Sequence, residues 1–239
     1  MTEFQTAKNA EQRFARQLRK VSREVAKIVK RFTVNGLIEN PKALEAAVKA
    51  YSKTIEPWAN QVVRRMLDDV NKKNIRAWKN TGKELGRELS AVLSGSEVGA
   101  TALALQNAQV ELITTIPIRA AERAQKLTQQ AMSGGRRASE VAREIARTNE
   151  VTEAVATRIA RTEIAKANTA LTTARAKSVG ATHYIWRTMG DNDVREVHKD
   201  KKIANKIFAF DDPPTIEGEG AHGPGDIWNC RCYPEPVLT

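Results

Sequence analysis

Five of the eight prolines, all three histidines and both cysteines of this 239-residue chain lie beyond Gly180. That distribution restricts the fold more than any other feature. Proline interrupts helical hydrogen bonding. The first 180 residues hold only Pro41, Pro57 and Pro117, so they can run as long helices, whereas the remainder must be short and turn-rich. Within the first part, Phe14, Leu18, Val21, Val25, Ile28 and Phe32 recur at alternating steps of four and three between charged flanks. This is the seam of an amphipathic helix over the first 32 residues. It must face another helix of the chain or a second copy of itself.

Asn35-Gly36, both tolerant of left-handed backbone, are expected to cap that helix. A second helical tract starts near Asn40-Pro41, with Pro57 restarting or kinking it. Ile55, Trp58, Val62, Met66, Val70, Ile75, Trp78, Leu85, Leu89 and Val92 mark its core face. Ser94-Gly95-Ser96 breaks it. A third helix from about Val98 to Ile116 stops at Pro117, and a fourth reaches the turn Ser133-Gly134-Gly135. A short helix follows with Ser139 as N-cap, and a last one starts at Asn149 or Thr152 and runs to Gly180. Beyond it, "THYIWRTM" reads as a strand, Gly190-Asp191-Asn192-Asp193 as a turn and "KIFAF" as a second strand. The expected fold class is mainly α: long N-terminal helices, then a small C-terminal α+β module with a short sheet. The expected division is 1–97, a basic helical region, and 98–239, helical to about 180 and strand- and turn-rich over 181–239.

Charge follows the same split. Residues 181–239 carry 7 Lys and Arg against 10 Asp and Glu, and residues 1–180 carry 32 against 18. A helical region at net +14 suits a polyanion or an acidic partner surface, as well as a plain solvated face. No apolar run is long enough to cross a membrane. The first residues lack the apolar core of a secretory signal. Two cysteines are too few for a disulfide scaffold, which suits a reducing cytoplasm.

His183, His198, His222, Cys230 and Cys232 could each ligate a metal. If "CRC" is extended, Cys230 and Cys232 share a face and Arg231 takes the other. His198 and His222 would then complete a Cys₂His₂ set suited to zinc. Two other readings stand beside it: a redox pair, strained across a single residue, and buried thiols packing as small apolar groups. In "IARTEIA", Arg161 and Glu163 stand two apart on a helix and do not face each other. Glu163 or Asp191 could act as a general base with His198, as in a hydrolase. Alternatively, Arg161 could lock the helix to the module through a two-pronged carboxylate bond. Trp186 and Trp228 read as core fillers, and Arg231 as a partner for a carboxylate or a phosphate.

Taken in order, "IPIRAAERAQKL", "SGGRRASEVAREIART", "ATRIARTEIAKAN", "ATHYIWRTMGDNDVREVHKD", "DDPP" and "HGPGDIWNCRCYPEPVL" resemble the phage Mu F-like head-morphogenesis domain of minor capsid proteins. The resemblance covers roughly Leu112 to Leu238. Its motif positions are Arg161, Thr162, Glu163, Trp186, Thr188, Asp191, Arg195, His198, Asn229, Cys230, Arg231 and Cys232. One departure is "KKIANK" after His198, where family members carry a glycine-containing turn. The resemblance implies a non-enzymatic protein of the phage head interior, made in the host cytoplasm. Its implied partners are the portal, capsid or scaffold proteins and, non-specifically, packaged DNA. The first helix's seam could dock on the portal or on another copy. The alternative from the residues is a metal-dependent nuclease or toxin-like hydrolase using His198, Glu163 and the Cys230/Cys232 pair.

Overall fold

The computed structural model describes residues 4–6, 8–86, 95–133 and 138–238, with backbone alone at 138, 139 and 148–151. Among the described residues, five helices precede Gly180: α1 Lys8–Arg31, α2 Pro41–Glu84, α3 Ser96–Met132, α4 Ala138–Ala146 and α5 Thr148–Ser178. A hairpin of β1 Thr33–Val34 and β2 Leu37–Ile38 lies between the first two. After Gly180 come β3 His183–Arg187, the single-turn helix α6 Glu196–Lys199, β4 Ile207–Ala209, β5 Thr215–Ile216, β6 Gly220–Ala221 and β7 Tyr233–Pro236. The chain is mainly α with a small, strand-bearing C-terminal part, as its proline distribution predicts.

Contacts gather the chain into two compact units. One combines Met1–Gln12, Arg64–Asn107 and Ile159–Thr239; the other combines Arg13–Val63 and Ala108–Arg158. This interleaved grouping differs in kind from the consecutive 1–97 and 98–239 division.

In the second unit the seam of α1 is core: Phe14, Leu18, Val21 and Val25 are buried by the chain itself, and Val29 replaces Ile28 as the last buried member. Asn35-Gly36 does not cap α1. Both residues have positive φ, 49° and 81°, and they form the two-residue turn of the β1–β2 hairpin. Positive φ at both central positions gives the turn twist that matches paired strands. Ile38 follows, buried, with its N–H donating to Thr128 Oγ1 at 3.1 Å.

Both interior prolines sit within continuous helices, Pro57 in α2 and Pro117 in α3. Proline inside a helix costs about 3 kcal/mol, and here tertiary packing overrides it. Ile55 and Ala59 flank Pro57 in the core, and Ile113, Ile116 and Ala120 do the same around Pro117. Asn40 caps α2 instead, its Oδ1 accepting from the Ala43 N–H at 3.0 Å. Leu89, Val92, Ser94, Gly134, Gly135 and the side chains of Ser139 and Asn149 lie outside the described residues.

The first unit holds a three-stranded antiparallel sheet ordered β4–β3–β7. Tyr184 and Trp186 of β3 point into the core with Ile203, Ile216, Cys230 and Cys232. The closing strand is "YPEP", directly after "NCRC". Its prolines are tolerated because β7 is an edge. Val237 N–H donates to His183 O at 2.9 Å, so the pairs Tyr184–Pro236 and Trp186–Pro234 are the non-hydrogen-bonded ones. Both proline nitrogens therefore face away from β3. Alanines and threonines of α5 permit close approach: Thr169 Oγ1 donates to Pro224 O at 2.7 Å beside Gly225, whose φ is 85°.

Candidate functional site

The motif positions after β3 form two adjoining clusters in the first unit, one charged and one buried.

The charged cluster is a clamp on the "NCRC" segment. Asp191, at the turn after β3, accepts from Arg231 Nη2 at 2.6 Å, and Asp193 accepts from the same nitrogen at 3.2 Å. Arg161 of α5 reaches Asp193 at 3.4 Å, Asn229 Oδ1 at 3.3 Å and Glu11 at 3.3 Å. Asn229 adopts φ 61°, and its N–H donates to the buried Thr162 Oγ1 at 2.8 Å. Arg161 thus links α5 to the module through single contacts to separate groups, not through the two-pronged bond to one carboxylate that one sequence reading holds. Glu163 does not pair with Arg161; its carboxylate lies 3.8 Å from Lys166 Nζ.

The buried cluster centres on His198, 1% exposed, presented by α6. Its Nδ1 lies 3.6 Å from Cys230 Sγ and 3.6 Å from Cys232 Sγ. Both thiols therefore fall on one side of the extended segment while Arg231 leaves by the other. On the far side of the ring, His198 Nε2 lies 2.8 Å from Glu219 Oε2, and His222 Nε2 is 3.1 Å from the same oxygen. Arg195 holds the other Glu219 oxygen at 3.1 Å and donates to Trp228 O at 2.7 Å. Trp186 packs edge-on to His198, ring centroids 5.2 Å apart. His183 is exposed, its Nδ1 2.8 Å from Thr182 Oγ1. Trp228, expected in the core, is 44% exposed. Thr188 is half-buried.

The electrostatics follow from this packing. Burial works against a charge on His198, but hydrogen bonding and charge at Cys230 and Glu219 outweigh it and hold its pKa above the ordinary histidine value. Cys230 is drawn well below the ordinary thiol range, first by a hydrogen bond from Cys232, then, against the cost of burial, by His198. Cys232 shifts upward because it supplies that bond and is itself buried. Burial pushes Glu219 up, and bonds from the two imidazoles more than reverse this.

Chemically the order thiol, imidazole, carboxylate resembles an activated nucleophile. A nucleophile must meet its substrate, however, and Cys230 and Cys232 are 4% and 2% exposed. The carboxylate on His198 is Glu219, in place of the Glu163 or Asp191 expected as a base. Glu219 escaped the sequence reading. Its signal is faint: a glutamate between two glycines, three residues before His222. Asn205 explains the "KKIANK" departure. At φ 63° it supplies the left-handed position that a glycine would, and its N–H donates to Trp186 O at 2.9 Å.

Residues 122–234 match the family model described as Phage Mu protein F like protein. This stretch is a Mu F-like domain. All twelve motif positions lie inside its limits, and the clamp and the buried cluster are built largely from them. A Haemophilus influenzae protein, described only as uncharacterized, is 34% identical over 160 residues, 66% of this chain. The match spans about a third of that relative's own length, 34%. No solved structure matches the chain. No described helix is long and apolar enough to cross a membrane.

Proposed function

We propose that the protein is a phage minor head protein that acts in head morphogenesis, associates with the portal and contacts packaged DNA without turning over a substrate. The observation that carries this reading is the Mu F-like match over 122–234. The motif residues are spent on holding the domain together, with the thiols enclosed and Arg161 and Arg231 committed to carboxylates. Such a protein works inside the head, beside capsid or scaffold proteins, after synthesis in host cytoplasm.

The DNA contact rests on charge. The unit of Arg13–Val63 and Ala108–Arg158 carries 19 Lys and Arg against 10 Asp and Glu. In α1 nine basic residues stand against Glu11 and Glu24. The seam of α1 is already covered, so a contact with the portal or a second copy must use another surface than that seam. What α1 offers outward is charge: Arg16, Lys20, Lys30 and Arg31 are exposed. Charge of this kind suits phosphates, with affinity falling steeply as salt rises.

The test is co-sedimentation of the full chain with purified portal rings at moderate salt, together with labelling of the protein in assembled heads by electron microscopy. Binding at a low copy number and a position beside the portal vertex are expected. Heads that assemble and fill normally without the protein would overturn the proposal.

A further inference from the structure

We propose that Cys230 Sγ, Cys232 Sγ and His198 Nδ1 bind one soft divalent ion, zinc by its ligand chemistry, and that Glu219 orients His198 from behind. Two thiolates and one imidazole are the donors that structural and catalytic zinc sites share. A tetrahedral ion with Zn–S near 2.3 Å and Zn–N near 2.0–2.1 Å places sulfur and nitrogen about 3.6 Å apart. Both sulfur–nitrogen separations here are 3.6 Å. The three donor atoms all lie within 4.8 Å of one another and belong to buried residues. An ion at this point would meet all three donor atoms at once.

The geometry also selects among ligand sets. His222 would join a Cys₂His₂ site only if one of its ring nitrogens turned toward the thiols. Instead, Nε2 sits 3.1 Å from Glu219 and Nδ1 sits 2.9 Å from Gly223 O. The competing trio of His198, Glu219 and His222 is closed by direct contacts of 2.8 and 3.1 Å. An ion held at about 2.0–2.2 Å from an oxygen and a nitrogen would spread them to roughly 3.4 Å. The space is therefore on the thiol side. Glu219 takes the place that a carboxylate commonly occupies behind a ligating histidine, fixing the ring so that Nδ1 carries the lone pair. Trp186 supplies the apolar wall.

Ligation requires both sulfurs as thiolates and His198 Nδ1 unprotonated, so whatever protons these three atoms carry are released to solvent on binding. Two thiolates then balance the ion's two charges, so the buried assembly is neutral, which removes most of the cost of burying it.

The experiment uses the full chain, stripped with chelator and reconstituted with Zn²⁺ or Co²⁺. About one equivalent of metal per chain is expected. The Co²⁺ form should show an intense thiolate-to-metal charge-transfer band and strong visible bands of tetrahedral cobalt. His222→Ala should keep full stoichiometry, and Glu219→Gln should weaken affinity by about 10–100-fold. Cys230→Ser with Cys232→Ser should abolish binding. If that variant fails to fold, the wild-type cobalt spectrum decides alone. Less than about a tenth of an equivalent bound, or cobalt bound without the thiolate band, overturns the proposal. Loss of metal in His222→Ala as complete as in the cysteine variant overturns the three-donor set.

Discussion

Asn229 shows how much can depend on one residue. Its left-handed backbone turns the chain so that Cys230 and Cys232 face His198 and Arg231 faces the two aspartates, and its N–H is anchored on Thr162. Thr162→Val keeps the volume and removes the acceptor. We expect a loss of about 1–3 kcal/mol, the cost of stranding a buried donor, read as a lowered midpoint in urea. Gly225 is the second such point. With φ at 85°, an added Cβ would lie 2.8 Å from both Cys232 O and Thr169 Oγ1. Gly225→Ala should therefore destabilise the first unit by more than Thr162→Val does, while a substitution at Gly190, with nothing within 4 Å, should cost only its backbone strain. Equal unfolding midpoints for the Gly225 and Gly190 variants would contradict this.

At the scale of elements, the sequence is legible wherever one physical signal acts alone. The seam of α1 and the split of "CRC" into two faces follow from side-chain period, and the strands "HYIWR" and the one within "KIFAF" follow from β-branched and aromatic residues. Legibility fails where a local signal has two outlets. Asn-Gly serves a helix cap and a hairpin turn equally well, and the hairpin wins because Ile38 finds a buried place and a partner in Thr128. Pro57 reads as a restart or kink and Pro117 as a stop, yet flanking core residues hold α2 and α3 continuous. Glu219 could not be paired with His198 from spacing, since they stand 21 positions apart across two small strands and the turns around them. The hairpin makes its own prediction. A Cβ on Gly36 would lie 2.2 Å from Ala142 Cβ, at a φ of 81°. Gly36→Ala should push the hairpin off α4 and lower the melting temperature. The double variant Gly36→Ala with Ala142→Gly should recover the steric part of the loss and leave the backbone part.

For the whole molecule the governing quantity is charge placed on one compact unit. The Arg16→Gln, Lys20→Gln double variant removes two exposed cations of α1 without touching its buried face. Each phosphate contact contributes about 0.9 to the slope of log affinity against log salt. The double variant should therefore flatten that slope by about 2 on random-sequence DNA, with the midpoint of thermal unfolding unchanged. An unaltered slope would remove α1 from the nucleic-acid surface. The β7 rim of the sheet bears on a different property, association through strand edges. Because both outward-facing nitrogens of "YPEP" belong to proline, that rim offers no N–H to a passing strand. A strand approaching along β7 therefore meets acceptors but no donors, so the alternating two-way ladder of a growing sheet cannot extend across this edge.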